Sequence, residues 1–546
     1  MKRRAMILIV VLVAVAALSL AALAFSALMV GEREVVHSTG RQIQARALAE
    51  SGIEMVRLFL SEHPDVQFSD GTWHEDLEKF QGVMVFDDET PQGRGRFAII
   101  APVEDQDLGG MRFGLECESS KLNLNTLLEG EDNEQSQRDR LMALPGMTEE
   151  IADSILDWLD EDDEPREFGA EADYYESLTP PYHPTNGPIR CLEELLFVRG
   201  ITEEHLYGSD RNRNGKLDTD ESGETAIAEI DSTNSISPRG LSAYLTLFSR
   251  EMVVQPDGSP KIDLNQNDAE TLYEELEEAF DSEWATFIVG YRQQEQHYSE
   301  NDSSSNQDNN DSQKSENSQN TASNGKNQQS GGNSSASSDS KNQEEVEQQE
   351  HATGELDLSK PLNQKLDSIL ALIGSKIKIK YKNSEKSTVV APLFSNDPDS
   401  MREYLTKLMD HATIGEGKSL TGRVNVNLAP AAVLACVPGV DADLAENIVG
   451  RRPADPMSID TYQNHPTWLL IEGLVTLNKM KALLPYLTAG GSVYKVQTVG
   501  FFDKDSSTVR LEALIDASES PPRMLSLKNL TPLGPGFDPL ELGAEE

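Results

Sequence analysis

Between Met6 and Val30 the chain runs for 25 residues without a charge (MILIVVLVAVAALSLAALAFSALMV). A helix of that length rises about 37 Å at ~1.5 Å per residue, enough to cross a bilayer with room for tilt. Lys2, Arg3 and Arg4 precede it. Their charge holds the start on the cytoplasmic side and sends the rest of the chain outward. The run exceeds the apolar core of an ordinary signal peptide, although its alanine-rich stretches leave cleavage open. On this stretch alone the reading is a single-span anchor, with 1–5 a basic leader and 6–30 the membrane helix.

After Gly31 the helical pattern does not break. It continues as EREVVHSTGRQIQARALAESGIEMVRLFLSEH, where Val36, Ile43, Ala49, Ile53, Val56 and Leu60 form one apolar stripe. Residues 31–64 are thus an amphipathic continuation. Within 65–120, Arg96–Pro102 (RFAIIAP) and Met111–Cys117 (MRFGLEC) have strand length and stand either side of a polar turn. Near the other end, Val493–Phe502 and Val509–Asp516 read as a hairpin, so 491–546 supplies closing strands and a tail. The fold class expected is α+β.

Length and charge narrow the rest. A chain of 546 residues holds two or three cores. With 47 Lys and Arg against 93 Asp and Glu the formal charge is −46, which repels phosphate and suits divalent cations or basic partners. Cys117, Cys191 and Cys436 are too few for a disulfide framework, and no Cys/His cluster points to zinc. One bridge stays open in an oxidising compartment, with any pairing.

An internal repeat follows. Lys121-Leu-Asn-Leu-Asn125, Lys261-Ile-Asp-Leu-Asn265 and Arg423-Val-Asn-Val-Asn427 share basic–apolar–Asx–apolar–Asn, and each precedes a helical stretch that an Asx residue can cap. Two copies lead into helix-hairpin-helix patterns centred on Leu144-Pro-Gly146-Met147 and Val437-Pro-Gly439-Val440. A looser form, LLFVRGITEEHL, surrounds Gly200. Glycine supplies the left-handed turn, and Thr148 or Asp441 caps the next helix. Residues 121–298 are expected to be a helical domain and 423–490 a second hairpin segment. From 299 to 354 the chain is polar, with only Ala322, Ala336 and Val346 apolar between 301 and 350, and is expected to be disordered. The mixed segment 355–422 offers a helix over Leu362–Ile373, an alternating strand Lys376–Lys382 and a helix over Ser400–Thr413.

The stretch from Asp210 to Glu221 (DRNRNGKLDTDE) fits a twelve-residue calcium loop. Oxygen ligands fall at positions 1, 3 and 5 (Asp210, Asn212, Asn214), glycine at 6, a carboxylate at 9 (Asp218) and Glu221 at 12. Lys216, at 7, would contribute its backbone carbonyl. Acidity alone accounts for neither the glycine nor the apolar Leu217. A single copy without paired flanking helices points to a structural Ca2+ site rather than a sensor. A second acidic cluster, Asp157 through Glu164, is better explained as a solvated helix end than as an ion site.

The stretch Lys121–Glu221, with KLNLN, ALPGMTEEIADSILDWLDEDDEPREFGAEADYYESLTPPYHPTNGPI, LEELLFVRGITEEHLYG and DRNRNGKLD, resembles the helical insertion of K-type minor pseudopilins of type II secretion. The N-terminal helix and the VYKVQTVGFF…VRLEALID hairpin resemble that family's pilin-like ends. The resemblance implies a long helix packed on a small antiparallel sheet, with a large all-helical, SAM-like or helix-hairpin-helix insertion. It implies an inner-membrane protein with its bulk in the periplasm, joining I-type and J-type partners and the major pseudopilin at the tip. Prepilin peptidase would cut between Ala5 and Met6, although the family usually has glycine where Ala5 stands. Mature position five is then Val10, where most pilins carry glutamate and the K type does not.

Two rivals share these features: a membrane-anchored DNA receptor of the competence kind, and a calcium-stabilised adhesin on a single span. Against the first, the hairpin tips are flanked by Glu149, Glu150 and Asp443, which repel phosphate. No enzyme pattern such as HExxH, GxSxG or a P-loop is present.

Overall fold

The computed structural model describes residues 2–62, 73–103, 110–129, 133–218, 221, 238–294, 347–349, 351–352, 354–382, 384, 386–415, 417–453 and 460–545. The 299–354 segment therefore lies outside the described residues except for 347–349, 351–352 and 354. Two compact units emerge, one made of 1–261, 401–411 and 416–546, the other of 262–400 and 412–415. The division falls within the stretch expected as one helical domain, 121–298.

In the first unit, one helix runs unbroken from Lys2 to Phe59. It is long and apolar enough to cross a membrane, and its apolar part is not buried against the protein. Ala5 and Met6 lie within it; Val10 is exposed. From Ala45 onward the helix packs on a sheet through Ala45, Leu48, Ala49, Ile53, Val56 and Leu60. Val36 and Ile43, placed on the same stripe from the sequence, are exposed. Apolar packing on the sheet begins at Ala45; before it, Arg41 reaches the sheet with its guanidinium over the Phe502 ring, while Val36 and Ile43 face away. Contact is close enough that a Cβ on Gly500 would overlap the Ala45 carbonyl. The Thr498 hydroxyl donates to the Ala49 carbonyl at 3.1 Å.

The sheet is antiparallel, in the order Val83–Phe86, Gly95–Pro102, Val493–Phe502, Asp505–Asp516, Arg523–Asn529. Phe97 pairs with Gly500, and Val496 with Ala513. The expected strand Met111–Cys117 is instead two short pieces, Met111–Arg112 and Glu116–Cys117. Between them Phe113 and Leu115 bond to the backbone of Asp76 and Trp73, which bends the chain. The chain leaves the sheet after Cys117 and rejoins it at Val493, beside the same strand. No disulfide joins Cys117, Cys191 and Cys436; the first and last are buried.

The three basic–apolar–Asx–apolar–Asn repeats adopt one construction. In each, the Asx oxygen accepts the backbone N–H two residues on: Asn123 from Asn125 (3.0 Å), Asp263 from Asn265 (2.9 Å), Asn425 from Asn427 (2.8 Å). The last Asn then grips a distant backbone segment. Asn125 donates to and accepts from Ile189, Asn265 does the same with Leu366, and Asn427 donates to the Gln463 carbonyl. Each repeat strand pairs in parallel with a short closing strand: Leu122–Asn123 with Leu245–Thr246, Ile262–Asp263 with Ala412–Thr413, and Val424–Asn425 with Leu487–Thr488.

Each repeat also carries two helices joined by a turn. The pairs are Glu134–Met142 with Glu149–Leu159, Ala269–Ala279 with Ser282–Arg292, and Ala431–Ala435 with Ala442–Arg451. Gly146 and Gly439 take positive φ (73° and 84°) at their turns. The middle pair lacks the Pro-Gly signature; Asp281 starts its second helix by accepting from Glu283 and Trp284 N–H, both at 2.9 Å. The pattern around Gly200 joins a 3-10 turn, Leu192–Phe197, to the short helix Glu203–Tyr207.

The second unit adds Ile377–Ile379, Thr388–Val390 and Glu347–Gln349 as a three-stranded sheet. The helix expected over Leu362–Ile373 shrinks to a 3-10 turn at Ile369–Leu372. Asn265 already holds the Leu366 N–H and C=O, groups that a helix would need. The helix expected at Ser400–Thr413 spans Pro398–His411.

Candidate metal centre

Eleven residues after Arg199 the backbone curls into the 210–221 loop, of which 219 and 220 lie outside the described residues. Asp210 is 3% exposed and its carboxylate accepts N–H groups from Asn214 (3.0 Å) and Gly215 (2.8 Å). These bonds draw positions 5 and 6 of the loop back over position 1. Gly215 turns the chain at φ +83°, with Arg213 at +56° just before it. A side chain is strained at such a φ, which is why the sixth place is glycine.

The far end of the loop folds onto the same point. Glu221 accepts N–H groups from Asn212 (3.0 Å) and Asp218 (3.3 Å). The Asn212 and Asn214 carboxamides both donate to Asp218 Oδ2, at 2.7 and 2.8 Å. All five predicted side-chain ligands are therefore brought together. Lys216 is not: its ammonium reaches Glu541 at 2.9 Å, leaving its backbone as the group near the loop. Asn212 Oδ1 is buried without a hydrogen-bond partner. A carboxamide flip exchanges N–H for C=O at one place, so both Asn side chains can present oxygen to a cation. The donor set fits a hard divalent ion that takes six to eight oxygens.

The loop is held by residues that its spacing did not announce. Arg510 is buried in the sheet and donates to the Asn212 and Arg213 carbonyls, each at 2.9 Å. Burial pulls its guanidinium down to about 10. Gln497 donates to the Arg213 carbonyl, and Gly110 N–H to the Gly215 carbonyl. Burial raises the Asp210 carboxyl against the opposing pull of those two backbone N–H groups. Nearly 300 residues separate Arg510 from the loop, and no local pattern marks it.

Beside the loop, a buried ionic cluster ties the first repeat to the sheet. Glu116 meets Arg239 (2.7 Å), Lys121 (3.1 Å) and Lys495 (2.7 Å), and Lys121 also meets Glu118 (2.9 Å). Burial works to raise the Glu116 carboxyl, but the three cations outweigh it and hold it well below the usual range. Glu116, Lys121, Asp210, Arg239 and Lys495 line one cavity of about 180 Å³.

The acidic run at 157–164 differs from its expected solvated state. Asp162–Glu164 are exposed, but Asp157 is fully buried at the end of a helix. At the hairpin tips, Thr148 accepts Ile151 N–H and Asp441 accepts Leu444 N–H, so the expected caps form.

Residues 120–207 match the type II secretion system (T2SS) protein K family. Over 58 residues the chain is 48% identical to the putative type II secretion system protein K of Escherichia coli strain K12, covering 11% of this chain and 18% of that protein. Over 128 residues it is 33% identical to the type II secretion system protein K of Aeromonas hydrophila, covering 20% of this chain and 38% of that protein. The chain thus spans well under half the length of either curated relative. The GspK-GspI-GspJ complex from the enterotoxigenic Escherichia coli Type 2 Secretion System aligns over 91% of this chain and 98% of the matched one. Its TM-score is 0.34 and its identity 11%. Residues 120–207 of this chain thus form a domain of the type II secretion system protein K kind.

Proposed function

We propose that this protein is a K-type minor pseudopilin at the tip of a type II secretion pseudopilus, supporting protein export across the outer membrane. The observation that carries the reading is the placement of the protein K domain. Residues 120–207 sit between Cys117 and Val493, two points of one antiparallel sheet that packs on a 58-residue helix. A membrane-length apolar helix gives storage in the inner membrane, and the basic start directs the bulk to the periplasm. The repeats between the sheet strands then form a helix-hairpin-helix insertion whose bulk stops further subunits from adding above it. The role is structural rather than enzymatic, and the acidic hairpin tips make nucleic acid a poor partner.

I-type and J-type minor pseudopilins and the major pseudopilin are the partners on this reading. Prepilin peptidase cuts between Ala5 and Met6, leaving Val10 at the fifth mature position, where a tip subunit has no neighbour above to pair with a glutamate. Ca2+ held by Asp210, Asn212, Asn214, Asp218, Glu221 and the Lys216 carbonyl stiffens the loop against the sheet.

The test expresses the full chain with prepilin peptidase and the I- and J-type subunits, then isolates it from membranes. A mature terminus at Met6 and co-purification of both partners are expected. Retention of residues 1–5 together with isolation of the chain alone would sink the reading in favour of a permanent single-span anchor.

A further inference from the structure

The middle repeat is set apart from the other two by the way the chain enters and leaves it. Arg250–Met252 runs antiparallel to Ser419–Thr421, with Met252 opposite Ser419, and the Val253 N–H donates to the Lys418 carbonyl at 3.0 Å. Both strands of this stem belong to the first unit. Its root is fixed where the closing strands of the sheet begin and end. Ser492 N–H donates to the Arg250 carbonyl at 2.7 Å, and the Arg250 guanidinium meets Asp516 at 2.7 Å. Inside the second unit Ile262–Asp263 pairs with Ala412–Thr413, so its first strand also lies beside its last. Chain ends that meet in this way mark places where a whole domain is tolerated as an insertion.

The second unit closes on a core of its own. Leu264, Leu272, Phe287, Ile288, Leu370 and Ile377 are fully buried. Phe394 meets Trp284 and Phe287 edge-on, at ring separations of 4.9 and 5.5 Å. A Cβ on Gly290 would stand 2.7 Å from the Ile379 side chain, so the three-stranded sheet lies directly on helix Ser282–Arg292. Arg292, buried at the end of that helix, donates to the Leu264 and Gln364 carbonyls and ties the first strand to a distant segment of the same unit. Among the described residues of 262–400 no large apolar side chain is exposed, whereas the first unit leaves Met84, Val85, Phe86, Phe197 and Leu527 in solvent. A filled core under a polar surface is the mark of a unit that folds alone.

We infer that residues 254–417 are a guest module, which folds and melts on its own and without which the rest of the chain keeps its structure and its place at the tip. The second half rests on the K-type reading above. Every feature that carries that reading lies outside the module: the membrane-length helix, the long sheet, the protein K domain at 120–207 and the 210–221 loop. Length agrees. In the curated relatives 58 residues are 18% of one protein and 128 are 38% of the other, so they are about 320 and 340 residues long. This chain is more than 200 residues longer, which leaves room for the 164 residues of 254–417. What the remainder would lose is helix Pro398–His411, whose Asp410 meets His465 at 2.7 Å and whose Arg402 meets Glu472 at 3.5 Å. These are partly exposed pairs, of the kind that contribute little.

Calorimetric unfolding of the full-length chain in detergent tests the first half. Two transitions are expected, because separate cores melt separately. Phe287→Ala should lower one of them by about 10 °C and leave the other within about 1 °C. A single transition, or a shift of both, overturns the inference. The second half is tested by deleting 254–417 and joining Val253 to Lys418 through Asn-Gly, the residues of a tight hairpin turn. Expressed with the I- and J-type subunits, this variant should bring down both with no loss against the parent. A folded deletion variant that loses either partner overturns the inference. If the deletion does not fold, F287A is held between its two midpoints, where the module is melted and the remainder is not. Retention of both partners there upholds the inference, and loss of either overturns it. A parent that itself fails to bind those subunits strikes the K-type reading and the tip half with it, while the melting of F287A decides the first half alone.

Discussion

The 210–221 loop and the 157–171 cluster gather similar carboxylates by opposite routes. In the loop, Arg510 binds the Asn212 and Arg213 carbonyls and leaves the acidic side chains clear. In the cluster, Arg166 binds two of the carboxylates themselves. The loop's cation holds the scaffold, whereas the cluster's cation shares the ligands. Removing each arginine therefore has a different consequence for any ion beside it.

Arg510→Ala is expected to have the largest effect, a loss of about 3–5 kcal/mol. It leaves the Asn212 and Gly534 carbonyls without their buried donor, leaves the Arg213 carbonyl to Gln497, and opens a cavity in the sheet. Chemical unfolding of the full chain measures it, and added Ca2+ restores little because the scaffold itself is broken. A loss below about 1 kcal/mol would mean the loop stands without the sheet. Arg166→Ala is expected to cost about 2–4 kcal/mol under chelation, since the buried Asp157 and Glu171 and the half-buried Asp160 are then unopposed. Saturating Ca2+ recovers most of that loss. Equal losses with and without Ca2+ would show that the guanidinium alone is the counter-charge, and would erase the contrast between the sites.

The same contrast explains how much was legible in the sequence. The loop was readable because calcium geometry is written at fixed local offsets, from Asp210 to Glu221. The 157–171 cluster was half readable: Asp157 and Asp160 stood out, but Glu171 joins them only once the turn at 161–170 has closed. The long helix, the 493–516 hairpin and the three Asx repeats follow from periodicity and spacing. Val36 and Ile43 did not follow, because the stripe says which face is apolar and not how far the sheet extends. The middle helical pair was missed because Asp281 does by capping what Pro-Gly does in the other two. The helix over Leu362–Ile373 fails because a side chain about a hundred residues away claims its backbone.

Chelation of the parent should lower stability by about 2.7 kcal/mol relative to Ca2+ at a hundred times its dissociation constant, for each site occupied. Thermal unfolding in calcium and in chelator measures it, and a shift halved by Asp210→Ala assigns half to the loop. A smaller, pH-dependent contribution comes from Glu116. Its carboxyl is held below its ordinary 4.5 in the fold, so its contribution is present at neutral pH. That contribution disappears as pH falls below the ordinary value and through the folded one. Glu116→Gln should therefore be less stable than the parent at pH 7 and approach it in acid. A gap that stays constant with pH would remove the ionic cluster from the loop's support.

The smallest effect is expected from Lys216→Ala, and it separates a ligand from a bystander within the loop. Position 7 is asked only for a backbone carbonyl, which alanine supplies equally. The side chain points elsewhere, to Glu541 at 2.9 Å, with both partners partly exposed. Such a surface pair contributes at most about 1 kcal/mol and often nothing measurable. Calcium affinity should be unchanged within about twofold and stability within about 0.5 kcal/mol. Asp218→Ala, two residues on, should by contrast weaken Ca2+ binding by more than about tenfold. Its carboxylate is the point on which the Asn212 and Asn214 side chains converge. Comparable losses in the two variants would mean that total acidity and loop conformation set the affinity, not the oxygens at defined positions, and the distinction between a local calcium loop and a tertiary acidic cluster would then collapse.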